Sequence, residues 1–351
     1  MPKSRLPEWD FIKGVLIILV VWGHVCSYIS GDGYEKNFFT AAIRLFQMPM
    51  FIFISGYFQR NYSTLSDVKN RVITIVSRLV IPYCIWILVG VCCNYLSDVV
   101  FNTLTIGGYW SLLKLCITQA NVLWYLGCLI LCEFFYCILS WISRSKRHIL
   151  LLVSLFISVL IPKDIWHFSF MWFWFVLGVL WKEIDQRFTE WVKKNYLIPF
   201  CVLLLFLAQL FPTQYTFYNY SNYVLNLESM WIIRLAIIVG RYICYGIMTI
   251  AFMMLFKKAY YYYRDMRIVK SICNIGQNTL GIFIIHIIVL YYTVRPYVHA
   301  MTSGKGLIPD FPFVRYYVIA TIISMIAIIG AYYATIALKK TKVASKLLLG
   351  Q

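Results

Sequence analysis

The stretch Asp10-Phe11-Ile12-Lys13-Gly14-Val15-Leu16-Ile17-Ile18-Leu19-Val20-Val21-Trp22-Gly23-His24 decides how the rest of the chain is read. From Val15 onward it is apolar on every face, which suits a helix in lipid and not the half-polar surface helix of a soluble domain. An imidazole inside such a run is costly, so His24 is a functional-site candidate. Lys13 precedes it by eleven positions; at about 100° per residue the two lie within roughly 20° of one another on the helix. At about 1.5 Å per residue they are roughly 16 Å apart along the axis, the cation near the aqueous end and the imidazole near mid-bilayer. That spacing suits a long substrate with an anionic head whose reactive end reaches inward.

Composition extends this to the whole chain. Its 351 residues are 61% hydrophobic and 18% aromatic, and only 13% are charged, where a soluble protein carries roughly 25%. Mean hydropathy is +0.74. The expected fold is all-α, a polytopic membrane bundle of about ten transmembrane helices. They centre on Val15–Ile29, Phe39–Phe58, Leu79–Leu96, Val122–Ile142, Ile149–Ile161, His167–Trp181, Leu197–Phe211, Met230–Phe256, Ile272–Val294 and Tyr316–Leu338. Residues 1–351 read as one membrane-embedded domain, with no linker and no separate soluble domain.

The net charge of +18 would point to nucleic acid in a soluble protein, but its distribution points elsewhere. Basic residues flank alternate ends of the spans: Lys3 and Arg5, then Arg60, Lys69 and Arg71, then Arg144, Lys146 and Arg147. The same alternation brings in Lys182 to Lys194, Lys257 to Lys270 and Lys339 to Lys346. The positive-inside rule then places both termini in the cytoplasm. No basic stripe with interleaved aromatics lies outside the spans, which excludes nucleic acid as the expected partner. The first span is read as retained, since Asp10 and Trp22 sit in or beside it and no small-residue cleavage site follows. The eleven cysteines lie almost entirely inside spans and none forms Cys-x-x-Cys. They read as small apolar fillers, and no metal site is expected.

Further polar residues interrupt the apolar runs. In Gln47 to Phe58, Pro49 breaks or kinks the second helix, and Ser55-Gly56 is a small-residue patch for close helix packing. Arg78, before Pro82 at the cytoplasmic mouth of the third span, can snorkel or hold a phosphate in its donor fork. With Lys13 at the same membrane face, phosphate is the preferred ligand. Trp124-Tyr125 opens the fourth span, and Tyr125 joins the polar positions that contact substrate or serve structure. Glu133, deeper in that span, must pair, protonate or line a cavity. Arg234 and Arg241, seven apart on one helix face, are its expected counter-ions. Asn274, Asn278 and Thr279 precede His286 in the ninth span, and two intramembrane histidines suggest a shared cavity. The loops Ser97–Asn121 and Pro212–Ser229 are expected outside, the second rich in Tyr and Asn side chains of the kind that stack on sugars or form an interfacial belt.

Taken together, Asp10–His24, Met48–Phe58, Arg78–Trp86, Leu123–Leu126, Phe173–Gly178 and Gly276–His286 resemble the acyltransferase 3 family of multispanning membrane proteins, in particular its fucose 4-O-acetyltransferase-like branch. The resemblance implies transfer of an acyl group, usually acetyl from cytoplasmic acetyl-CoA, to hydroxyls of cell-envelope or exported glycans such as capsule, O-antigen or exopolysaccharide. It implies a bacterial inner-membrane location. By matching position it makes His24 the essential first-span histidine, aligns Lys13 with a position often held by arginine, and matches Arg78 and His286 to the third-span arginine and late-span histidine. His24 is then the expected general base or transient acyl carrier, with His286 and Asn278 orienting the acceptor or stabilising the oxyanion. Lys13 and Arg78 would hold the CoA phosphates, with Asp10 fixing Lys13 from three residues away. The expected partners are an acyl-CoA, a glycan or lipid-linked glycan acceptor and the lipid bilayer; homo-oligomerisation is left open. A transporter or flippase for such a glycan is the alternative, with Glu133, Arg234 and Arg241 along the solute path.

Overall fold

A chain in lipid has no water for its backbone polar groups and must satisfy them internally, which leaves helices as the economical solution for these apolar runs. The computed structural model describes residues 6–30, 38–100, 108–143, 147–160, 165–182, 196–212, 216, 231–294 and 313–351, and no strand occurs among them. The long helix α1 covers Pro7–Ser30. A broken pair follows, α2 (Phe38–Ile43) and α3 (Gln47–Tyr57). Pro49 stands in the first turn of α3, where its missing N–H costs no hydrogen bond, so the break falls just before it.

Next, α4 (Leu65–Ile75) runs through a π-turn at Val76–Val80 into α5 (Ile81–Val100). This run begins well before the expected Leu79. Thr64 and Asp67 form a reciprocal capping box, Asp67 N–H to Thr64 Oγ1 and Thr64 N–H to Asp67 Oδ2, each 3.1 Å. The cap starts a helix in a charged stretch that hydropathy assigns to a loop. The helix α6 (Gly108–Val122) likewise occupies most of the expected outer loop Ser97–Asn121. Its alternation of apolar residues with Ser111, Lys114, Thr118 and Gln119 lowers hydropathy without breaking the helix. After it come α7 (Trp124–Ser143), α8 (Arg147–Leu160), α9 (Phe168–Trp181), α10 (Leu197–Leu207) and α11 (Trp231–Tyr263). The chain closes with α12 (Arg267–Gly276), α13 (Thr279–Val289), α14 (Ala320–Lys339) and α15 (Lys342–Leu349). A π-turn at Leu290–Val294 extends α13.

Each expected span falls on one helix or on a broken pair of helices, but length is less generous than hydropathy. Among the described residues six helical runs are long and apolar enough to cross a membrane, or seven if the broken pair α12 and α13 is one span. The expected fifth, sixth and seventh spans correspond to α8, α9 and α10, of 14, 14 and 11 residues. The Tyr/Asn-rich loop Pro212–Ser229 lies outside the described residues except for Pro212 and Thr216.

The helices gather into two compact units. The first comprises residues 1–20, 33–61 and 139–277. Its firmest joint is between α3 and α9: a Cβ added to Gly56 would lie 2.0 Å from Phe175 O, and one added to Gly178 the same distance from Phe53 O. The Ser55-Gly56 patch is thus a packing site, with the Ser55 hydroxyl turned back to Phe51 O at 3.1 Å. Phe46 stacks on Phe252 at 4.5 Å and ties α11 to the entry of α3. The second unit comprises residues 21–32, 62–138 and 278–351. There α13 packs on α14 through Gly281, where an added Cβ would meet the Thr335 side chain at 2.5 Å.

Candidate active site

Helix α1 is unbroken from Pro7 to Ser30, so Lys13 and His24 stand on one continuous helix. In the second unit His24 meets His286: the two imidazole centroids are 5.6 Å apart with planes inclined at 44°. His24 is half-buried and also lies over Tyr28, 6.3 Å away. His286 is completely buried. Its Nδ1 lies 2.8 Å from the carbonyl oxygen of Ile282, one turn earlier in α13.

That contact fixes the chemistry of the ring. A carbonyl can only accept, so neutral His286 carries its proton on Nδ1, and Nε2 presents a lone pair. Nε2 is buried and meets no hydrogen-bond partner among the described residues. A buried polar atom left empty is costly and is uncommon in folded chains. Here it is a basic nitrogen beside a second imidazole. Phe283 packs its ring edge against His286 at 5.8 Å and against Tyr125 at 5.3 Å, which joins Tyr125 to the histidine through one aromatic ring. Asn278 is buried at the N-cap position of α13. It precedes His286 by eight residues, roughly 12 Å along the helix axis.

Asp10 and Lys13 form the expected ion pair, Nζ to Oδ1 2.8 Å, within the first unit. Asp10 is buried and Lys13 partly exposed. The pair is held by a close approach of α12 to α1: a Cβ on Gly276 would lie 1.7 Å from Asp10 O, and one on Gly14 2.1 Å from Ile272 O. Arg78 sits in the π-turn Val76–Val80 with its side chain exposed.

The Glu133 carboxylate is paired with Arg71, from α4, a partner that the sequence alone does not name. The capping box that extends α4 is what carries Arg71 into the membrane-length run. Arg241 lies in the first unit with its guanidinium 4.2 Å over the ring of Phe170, and the side chain of Arg234 is outside the described ones. In the sequence Arg71 stands among the basic residues that flank the second span; the Thr64-x-x-Asp67 cap is the signal for its place in a helix. Ile282 and Phe283 carry no signal of their own in the sequence, although the i−4 and i−3 positions are where a helical histidine finds its neighbours.

Residues 6–333 match the family described as the acyltransferase domain, Acyl_transf_3. The chain belongs to that acyltransferase family. Among curated proteins it is similar to Nodulation protein NolL of Sinorhizobium fredii, 34% identical over 87 residues, 24% of this chain and 24% of the relative. It is similar also to Nodulation protein NolL of Mesorhizobium japonicum, 30% identical over 87 residues, 24% of this chain and 23% of the relative. The match thus spans about a quarter of the length of these relatives. No solved structure matches. With its membrane-length helices, this acyltransferase-family chain is a multi-pass membrane protein. The matched region contains Lys13, His24, Arg78 and His286 and ends before α15.

Proposed function

We propose that the protein is a membrane O-acyltransferase that moves an acetyl group from cytoplasmic acetyl-CoA to a hydroxyl of a cell-envelope or exported glycan, free or lipid-linked. The observation that carries this is the His24–His286 pair, 5.6 Å between rings, with the proton of His286 committed to Ile282 and its Nε2 left as a buried base.

In this reaction an imidazole nitrogen removes the proton of the acceptor hydroxyl as its oxygen attacks the thioester carbonyl carbon. The carbonyl electron pair moves onto oxygen in the tetrahedral intermediate and returns as the C–S bond breaks. The resulting imidazolium gives its proton to the departing CoA thiolate, so the enzyme ends as it began. Two imidazoles serve this better than one: His286 Nε2 takes the proton while a ring N–H of His24 donates to the developing oxyanion. His24 can exchange roles with it once Nε2 of His286 carries a proton, and Asn278, farther along α13, orients the bound substrate. Arg78 and Lys13 are proposed as ligands for the donor phosphates, Lys13 being held by Asp10.

The orientation that serves this function has both termini in the cytoplasm of a bacterial inner membrane, as basic-residue asymmetry favours. Transfer of labelled acetyl from [14C]acetyl-CoA by purified protein, to water or to a glycoside, tests the activity. Neither transfer nor hydrolysis by well-folded protein would sink it. For orientation, in a cysteine-free background a membrane-impermeant thiol reagent should label Tyr218→Cys in intact spheroplasts. It should reach Ser145→Cys and Lys342→Cys only after lysis. The opposite pattern would place the donor site in a compartment without acetyl-CoA.

A further inference from the structure

The segment after the family match is built against the candidate donor residue. The short helix α15 ends in Leu348-Leu349-Gly350, and this end is buried in the second unit. Three contacts hold it. Trp86 of α5 donates its Nε1–H to Leu348 O at 2.8 Å. Leu349 lies against Gly281 of α13, where an added Cβ would meet Leu349 Cδ2 at 3.0 Å. Gly350 abuts the main chain of Arg78: a Cβ there would lie 2.2 Å from Arg78 O and 2.5 Å from Arg78 Cα. Gly350 also closes α15 with φ of +63°, so glycine is required twice, for its left-handed backbone and for the missing side chain.

Arg78 occupies the middle of the π-turn Val76–Val80. Such turns are rare, cluster at functional sites and shift side-chain directions relative to an α-helix. Here the main chain of the turn is covered by Gly350 while the Arg78 side chain stays exposed. We infer that the Leu348-Leu349-Gly350 end of α15, anchored by Trp86, positions Arg78 for the phosphate groups of a phosphorylated nucleotide thioester. This rests on the proposal that Arg78 is a donor ligand. Trp86, Leu349 and Gly350 are positioning residues; none needs to touch the donor.

The experiment uses the full chain in lipid nanodiscs with two donors, acetyl-CoA and S-acetylpantetheine, which has the thioester and no phosphate. Trp86→Phe removes the N–H and keeps an aromatic ring. It should raise KM for acetyl-CoA roughly three- to tenfold, the size of one net hydrogen bond, with kcat nearly unchanged. Gly350→Ala should raise it further. Neither should alter KM for S-acetylpantetheine, whereas general damage to the fold would lower turnover of both donors. Trp86→Phe should add little to Arg78→Ala, because both act through one guanidinium. If Arg78→Ala raises KM and Trp86→Phe and Gly350→Ala do not, the inference is overturned. Full additivity of Trp86→Phe with Arg78→Ala would overturn it as well. If Arg78→Ala leaves KM for acetyl-CoA unchanged, the donor-ligand proposal itself fails and this inference falls with it.

Discussion

Two polar clusters in the second unit, each with one buried and one half-buried member, are built on opposite principles. Arg71 and Glu133 neutralise one another: a cation and a carboxylate meet directly, and each satisfies what burial would otherwise make intolerable. His24 and His286 do not. Two groups of the same kind face each other, one ring nitrogen is tied to the backbone and another is left with an unused lone pair. The first cluster has spent its chemistry on folding, and the second has kept its own available. Residues that break a local rule without an evident gain in stability are where function is to be sought.

The largest effect should come from the open cluster. His24→Ala and His286→Asn should each lower transfer on the order of 10²- to 10⁴-fold, the span of general acid–base catalysis, in protein that still inserts and purifies. His286→Asn is the sharper of the two. The amide can still donate to Ile282 O, so the backbone contact is kept while the Nε2 lone pair is lost. Near-native acetyl transfer by His286→Asn would reduce that histidine to a structural role and erase the contrast between the clusters.

The closed cluster should respond in stability. Glu133→Gln should cost about 2–3 kcal/mol, short of the full value for a buried pair because the Arg71 side chain is 26% exposed. Thermal unfolding in detergent reads this, and the Glu133→Leu/Arg71→Met double variant should recover most of it. Acetyl transfer per folded molecule should stay within about threefold of the parent. A selective loss of turnover without loss of stability would move Glu133 into the reacting centre. A smaller stability effect belongs to the α3–α9 joint, where Gly178→Ala places a methyl against Phe53 O. It should cost about 1–3 kcal/mol through forced backbone shifts, again by thermal unfolding. No change would mean that the two helices are held elsewhere.

How much of this the sequence reveals follows from which interactions are local. His24, Lys13 and Asp10 are legible because the helical period alone relates them, and the Asp10–Lys13 pair forms as i, i+3 spacing requires. The helices are legible wherever apolar residues run on. What hydropathy misreads are α6 and the start of α4, because polar residues on a helix lower the average without removing its caps. The Arg71–Glu133 pair joins positions 62 apart, and no short-range pattern encodes it. The guanidinium of Arg241 lies over the ring of Phe170, a contact that charge alone does not suggest. The docking of α15 on Arg78 is hidden for the same reason: a glycine and a tryptophan some 260 residues apart carry no motif.

The Asp10–Lys13 pair, in the first unit, shares features of both clusters and offers the finest test of the difference. Like Arg71–Glu133 it is an ion pair, but the lysine side chain is 27% exposed against 6% for the aspartate. Its ammonium has three donors and Asp10 Oδ1 engages it on one side. If Lys13 only neutralises Asp10, Lys13→Ala should lower thermal stability and leave KM for acetyl-CoA where it was. If it also binds phosphate, KM should rise by about three- to tenfold with kcat little changed, since a phosphate contact is made equally in ground and transition states. S-acetylpantetheine turnover should then be indifferent to the substitution. Lys13→Arg should keep both roles, because it keeps the cation and can reach the same carboxylate. A rise in KM for both donors alike would place the effect of Lys13 in the packing of α1 and remove it from the donor site.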